Sequence, residues 1–152
     1  MEDFCSLLGL RPAAKYDTTW ERIAKAVRDH VPAERRHGTF GQLASTVLLT
    51  HAHIDHSGYI PLLVKNGFRG KIYATHATFD LCKILLPDSG YLQEEDARRS
   101  NKYGYTKHTP AMPLYTQDDA ERSLEYFDIV PLGDSQMLDE ELSFSFNRAG
   151  HI

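Results

Sequence analysis

The chain has 152 residues, about the length of one average domain, and its 41% hydrophobic, 25% charged and 11% aromatic residues exclude collagen-like, mucin-like and wholly disordered chains. Seventeen basic against 21 acidic side chains leave a formal charge of −4, so the surface as a whole cannot act as a basic glove for nucleic acid, although a local patch can. Two cysteines, Cys5 and Cys82, lie far apart without a CxxC pair, which argues against a disulfide framework or a zinc knuckle and for a reducing compartment. The opening MEDFCSLLGLRP carries acids rather than a basic leader, and no apolar run approaches the roughly 20 residues that span a bilayer. A cytoplasmic protein without membrane contact is expected.

Residues 1–16 hold the apolar Phe4, Leu7, Leu8 and Leu10 and read as a helical turn or two, closed by Arg11 and Pro12. Asp17 or Thr18 then serves as an N-cap, with Thr18 and Glu21 spaced as a capping box. Trp20, Ile23, Ala24 and Val27 recur at i, i+3, i+4 and i+7, the period of an amphipathic helix running to about His30. Pro32 ends it, and residues 33–38, with Arg35 and Arg36, read as a solvated loop. Residues 46–49 are a continuous β-branched and apolar run, the pattern of a strand buried on both faces. A helix is expected over 58–65, stopped by Asn66 and Gly67, a second buried strand over 71–75, and a helix over 77–86 halted by Pro87. A polar helix follows over 88–101, a loop over 102–115, and a helix from Thr116 to about Phe127. Ile129 to Leu132, a turn at Gly133 and Asp134, and the alternating Leu142, Phe144 and Phe146 give the end of the chain β character. Strand, loop, helix, strand, helix is an α/β alternation.

Directly after the first strand stands HAHIDHSG: His51, His53, Asp55, His56, Ser57, Gly58. Imidazole nitrogen and carboxylate oxygen are the donor set that suits Zn²⁺ and its neighbours among divalent metals. In an extended segment alternate side chains share a face, so His51 and His53 can grip one ion, while a tightening turn at Asp55 and His56 aims that pair at a second. Gly58 at the helix entry lets the backbone pack closely beside the ions. The carboxyl end of a strand is also where open α/β sheets place their sites. His76, at the end of the second strand on the same side, is a candidate substrate contact. His151 follows Arg148, Ala149 and Gly150 near the other end and carries no assignment by itself. Lys102, Tyr103, Tyr105, Lys107 and His108 interleave cations with aromatic rings, a combination able to stack on bases and track phosphates, but a solvated loop is the preferred reading. His30, His37 and Cys5 are given no role, and Cys82, between Leu81 and Ile84, reads as a core thiol.

The segment LLTHAHIDHSGYIPLLVKNGFRGKIYATHATFDLCKILLPDSGYLQEEDA resembles metallo-β-lactamase-fold proteins, and specifically their β-CASP branch of RNA-processing nucleases. The resemblance covers about residues 45–152 and implies a fold class of α/β type, part of an αββα sandwich truncated at both ends. It implies that His51, His53 and His151 bind one zinc, that Asp55 and His56 bind a second, and that Asp55 is also the catalytic group that orients the water. The AGHI run raises His151 to a ligand because it resembles the family's third metal motif. The function implied is a two-metal, zinc-dependent hydrolysis of RNA phosphodiester bonds. Two alternatives stand beside it: a hydrolase of this fold acting on a small ester or thioester, and a truncated non-catalytic module. The family pattern opens with two strands ending in an Asp motif, whereas residues 1–44 offer a helical segment. It also continues past AGHI to a bridging Asp, a later His and an inserted cap domain. Residues 45–152 are therefore expected to be a partial metallo-β-lactamase domain, with 1–44 a separate helical segment. The chain alone is expected to be inert, to expose strand edges, and to hold about one zinc.

Overall fold

A computed structural model of the chain describes residue 34 and residues 45–104, 106–140 and 142–151. The helices expected within 1–44, together with Cys5, His30, Arg35, Arg36, His37 and Tyr105, lie outside the described residues. In chain order the elements are β1 (Thr46–Leu48), α1 (Ile54–Ser57), α2 (Ile60–Lys65), β2 (Lys71–Ala74), α3 (His76–Tyr103), α4 (Gln117–Ser123) with a 3-10 turn (Leu124–Tyr126), β3 (Phe127–Ile129), β4 (Ser135–Met137) and β5 (Ser143–Ser145). The α/β class holds. β1, β2 and β3 form a parallel sheet in that order, with Val47 opposite Ile72 and Ile72 opposite Phe127. Parallel neighbours need crossover connections, and α1–α2 and α3–α4 supply them. β4 and β5 pair separately as an antiparallel hairpin, Gln136 opposite Phe144.

The alternation of β2 builds two cores. Ile72 and Ala74, both fully buried, pack on one face with Val64 of α2, Cys82 and Leu86 of α3 and Ala120 of α4. Tyr73 points the other way and meets Val130, Phe144 and Phe146, its ring 5.1 Å from that of Phe144. Helices thus cover one face of the central strand and the aromatic hairpin covers the other.

Three expectations need correction. β1 is not buried on both faces: Thr46 and Val47 are half-buried, Leu48 is exposed, and among the described residues it pairs only with β2 and forms the edge of their sheet. Pro87 does not halt a helix. α3 continues through it for 28 residues because Thr78, Cys82, Leu86 and Gly90 recur at i+4 and form one buried stripe on both sides of the proline. The single missing N–H of Pro87 is outweighed by that shared burial. Thr75 caps the start, its hydroxyl accepting from the Thr78 N–H, and Gly104 ends the helix at φ 70°, where a side chain would be strained. The helix after Thr116 closes at Ser123 rather than Phe127, since Phe127 already belongs to β3 and its ring packs on Phe79.

The start of α4 is tightly specified. Thr116 and Asp119 exchange the two bonds of a capping box, each 3.1 Å, and Lys65 of α2 reaches the same carboxylate at 2.9 Å. These contacts hold the Asp119 carboxyl down at about 2, the Lys65 ammonium first among them. β4, with the sequence Ser-Gln-Met, lacks apolar alternation and was not expected; its partner β5 carries the buried Phe144 that defines the hairpin.

Candidate metal centre

The histidine loop is pinned from beneath by its small and apolar members. Leu49 and Ala52 are buried, and the Leu49 N–H donates to the Tyr73 carbonyl at 2.9 Å, extending the β1–β2 pairing past Leu48. The chain then turns into α1, whose first bonds run from the His56 and Ser57 N–H groups to the His53 carbonyl, both 2.9 Å. Ser57 is fully buried. Its hydroxyl lies 3.1 Å from the carbonyls of Ala52 and His53, fastening the end of α1 back onto the loop. With Leu49 and Ala52 buried, Thr50 and His53 are exposed and His51 is half-buried. Gly58 closes α1: its N–H donates to the Ile54 carbonyl at 2.8 Å, and a Cβ there would stand 2.5 Å from that oxygen. The close approach that this glycine permits is to α1 itself.

Residue 151 lies about a hundred positions away, yet the segment leaving β5 returns its imidazole to the same place. The ring centroids of His51 and His53 are 4.8 Å apart, those of His51 and His151 also 4.8 Å, and those of His53 and His151 5.1 Å. One nitrogen from each of the three falls within 4.8 Å of the other two. The His56 ring stands 4.3 Å from that of His51, and its Nε2 is 3.4 Å from the mostly exposed Asp55 carboxylate. Beside the cluster opens a cleft of about 610 Å³ whose walls include His51, His151, Thr78, Leu81, Phe146 and Arg148.

The chemistry of His51 tests whether a cation fits here. Its Nδ1 is 3.0 Å from the Thr50 hydroxyl, while its Nε2 is buried without a hydrogen-bond partner among the described residues. A buried ring nitrogen left unpaired carries a desolvation cost that a bound ligand can offset. Burial pushes this imidazole below its ordinary pKa, and His56, His151 and His53 push it the same way, against a smaller opposing pull from Asp55. A neutral imidazole with an unshared electron pair facing other imidazoles is the form that coordinates a metal. The residues present therefore fit a divalent cation.

His76 is not brought to this centre. It opens α3, exposed, with Nδ1 3.0 Å from the Asp80 carboxylate, and it does not line the cleft, although Thr75, Ala77 and Thr78 do. Thr50 and Ser57 were not singled out from sequence. Their place inside and beside the histidine run was the available signal, because a small hydroxyl there can bond a ring nitrogen or a carbonyl of the loop.

No model of a known protein family matches the chain. Individual curated proteins do. Over 121 residues, 78% of this chain, it is 34% identical to Ribonuclease TTHA0252 of Thermus thermophilus, covering 24% of that protein. Over 106 residues, 70% of the chain, it is 34% identical to the transcription termination factor FttA of Methanosarcina mazei, covering 15% of it. Endoribonuclease YSH1 of Candida albicans is 29% identical over 107 residues, with 70% of this chain and 12% of that protein covered. The chain thus spans about a quarter or less of the length of these relatives. By sequence the chain belongs to the β-CASP metallo-β-lactamase-fold RNA nucleases.

Proposed function

We propose that this chain is the metal-binding part of a ribonuclease, a metal-dependent hydrolase of RNA phosphodiester bonds in its complete form. The observation that carries this reading is the convergence of His51, His53 and His151, nitrogens within 4.8 Å, in a chain whose relatives are named as ribonucleases. Residues 45–152 are read as part of an αββα sandwich, and residues 1–44 as a separate N-terminal segment. The small-ester reading and the non-catalytic reading draw no support from those names.

His51, His53 and His151 would hold one zinc ion, and Asp55 with His56 a second. Such ions lower the pKa of bound water towards neutrality and offset charge on phosphoryl oxygens. Thr50 holds the His51 ring from its Nδ1 side, leaving Nε2 as the donor, the usual arrangement in which a hydrogen bond at one ring nitrogen orients the other. Ser57 fixes the carbonyls of Ala52 and His53 and hence the path of the loop. Asp55, exposed beside His56, orients the attacking water and accepts a proton from it. A cytoplasmic location is part of the same reading; among the described residues no helix is long and apolar enough to cross a membrane.

The test is RNA cleavage by the complete protein. Chelator should abolish it and zinc restore it, and His53→Ala should lower it by about 100-fold or more. Asp55→Asn, which keeps shape and removes charge, should do the same while the fold persists. RNA turnover at the parent rate in either variant, or in chelator, would overturn the assignment.

A further inference from the structure

At the far end of α3 from the metal centre, the loop over 106–114 is stapled onto the helix. Asn101 makes a pair of bonds to the backbone of Ala111, its Nδ2 donating to the carbonyl at 2.9 Å and its Oδ1 accepting from the N–H at 2.7 Å. About two turns nearer the start of the helix, Gln93 Oε1 accepts from the Leu114 N–H at 3.2 Å. Between helix and loop these bonds hold open a groove of about 480 Å³. Its floor includes Pro110, Met112 and Leu114, with Met112 76% exposed, and its lips include Ser100, His108 and Asp96. The volume is that of a small-molecule or nucleobase site.

Charge around this groove departs from that of the chain as a whole. From residue 97 to residue 108 there is no acid, although the protein carries −4 overall. Arg98 is drawn to Glu95, whereas Arg99, Lys102 and Lys107 are exposed and pair with no carboxylate among the described residues. Arg99, Lys102 and Tyr103 are three and four positions apart and share one face of the last helical turn. The Lys102 ammonium sits 5.1 Å from the centre of the exposed Tyr103 ring.

We propose that the basic residues at the end of α3 and in the loop after it, together with the groove beside them, form a second contact for single-stranded RNA, outside the metal centre. The proposal rests on the reading of the chain as part of a ribonuclease and extends it. Cations that neutralise phosphates beside an exposed ring, Tyr103, and exposed apolar side chains are what a single strand requires, since each phosphate there is followed by a flat apolar base. An acidic peptide would match the cations and leave the floor of Pro110, Met112 and Leu114 without a complement. The first turn of α3 lines the metal cleft and Lys102 lies 26 residues on, roughly 39 Å at the rise of a helix. About twelve stacked nucleotides bridge that span.

The experiment measures binding of a fluorescein-labelled 20-nucleotide RNA to the 152-residue chain by anisotropy over a salt series. Arg99→Gln, Lys102→Gln and Lys107→Gln together should weaken binding about tenfold or more at low salt and reduce the slope of log affinity against log salt by roughly 2, three cations at about 0.7 each. Asn101→Ala, which releases the loop and removes no charge, should weaken binding while leaving the slope unchanged. Circular dichroism checks that each variant keeps its helix content. Unchanged affinity and slope in the triple variant would overturn the proposal, as would displacement of RNA by polyglutamate at equal charge, or no RNA binding by the parent chain. None of these results bears on metal-dependent cleavage, which the chelator and His53→Ala experiments decide separately.

Discussion

Gly90 gives the packing of α3 its sharpest test. It sits on the buried stripe of the helix, where a Cβ would stand 2.7 Å from the Gln117 nitrogen and from the carbonyl carbon and oxygen of Thr116. Carbon contacts are comfortable at about 3.5–4.0 Å, so the two elements would have to separate by about 1 Å. All three atoms are backbone, and no rotamer change can relieve the clash. The displaced atoms belong to the first turn of α4, where Thr116 and Asp119 form the capping box and the Gln117 N–H donates to Glu94 at 2.9 Å. Overpacking of this kind costs about 1–3 kcal/mol, and a larger cost is reasonable where caps are disturbed. Against it stands the gain of about 1 kcal/mol that alanine has over glycine inside a helix. Gly90→Ala should therefore lose about 1–2 kcal/mol net, a fall in Tm of roughly 4–9 °C for a unit of this size, read by circular dichroism at 222 nm. Helix propensity alone predicts the opposite sign. A Tm equal to or above that of the parent chain would refute the close packing of α3 on the start of α4.

Asp119 has a folded pKa near 2, below the roughly 3.9 of an unfolded aspartate, so its contribution is complete above that value and is lost as pH falls through about 2. Asp119→Asn should cost about 1–2 kcal/mol at pH 7, discounted for the partly exposed Lys65, and parent and variant should converge near pH 2; equal denaturation midpoints at pH 7 would contradict this. Cys82 is fully buried and its thiol is pushed up to about 11 by that burial, partly opposed by a hydrogen bond with Ser57. In the folded chain at pH 8 iodoacetamide should leave the Cys82 peptide unmodified by mass spectrometry and label it only after unfolding, and labelling at the rate of a free thiol would contradict its burial.

The parts of this fold that local chemistry dictates were legible in the sequence. Lys71–Ala74 appears where a buried strand was expected, Ser143–Ser145 where apolar alternation placed one, and a helix starts at Thr116 as expected. The HAHIDH run marked where His51 and His53 would meet, because alternation in an extended segment is a local property. Long-range partnership was not legible. Whether Pro87 breaks a helix depends on what Cys82, Leu86 and Gly90 pack against, and those partners come from β2 and α4. Whether β1 is central or an edge depends on a neighbour that no local pattern names. His151 had no local signal of its own, and only the resemblance of the AGHI run marked it before folding placed it 4.8 Å from His51. The loop over 106–114, which composition presents as solvated, is held by Asn101 and Gln93 through bonds to backbone atoms that no side-chain pattern reveals.

The most direct measurement of the central claim is zinc binding by this chain, by equilibrium dialysis and metal analysis, alongside His51→Ala, His53→Ala and His151→Ala. The parent should hold about one zinc per chain, the number that three imidazoles in one place can retain, and each substitution should lower the affinity by about tenfold or more. His151→Ala is the decisive variant, because it changes a residue about a hundred positions from the HAHIDH run and leaves that run intact. A zinc affinity unchanged in His151→Ala, or no zinc bound by the parent chain, would contradict the account.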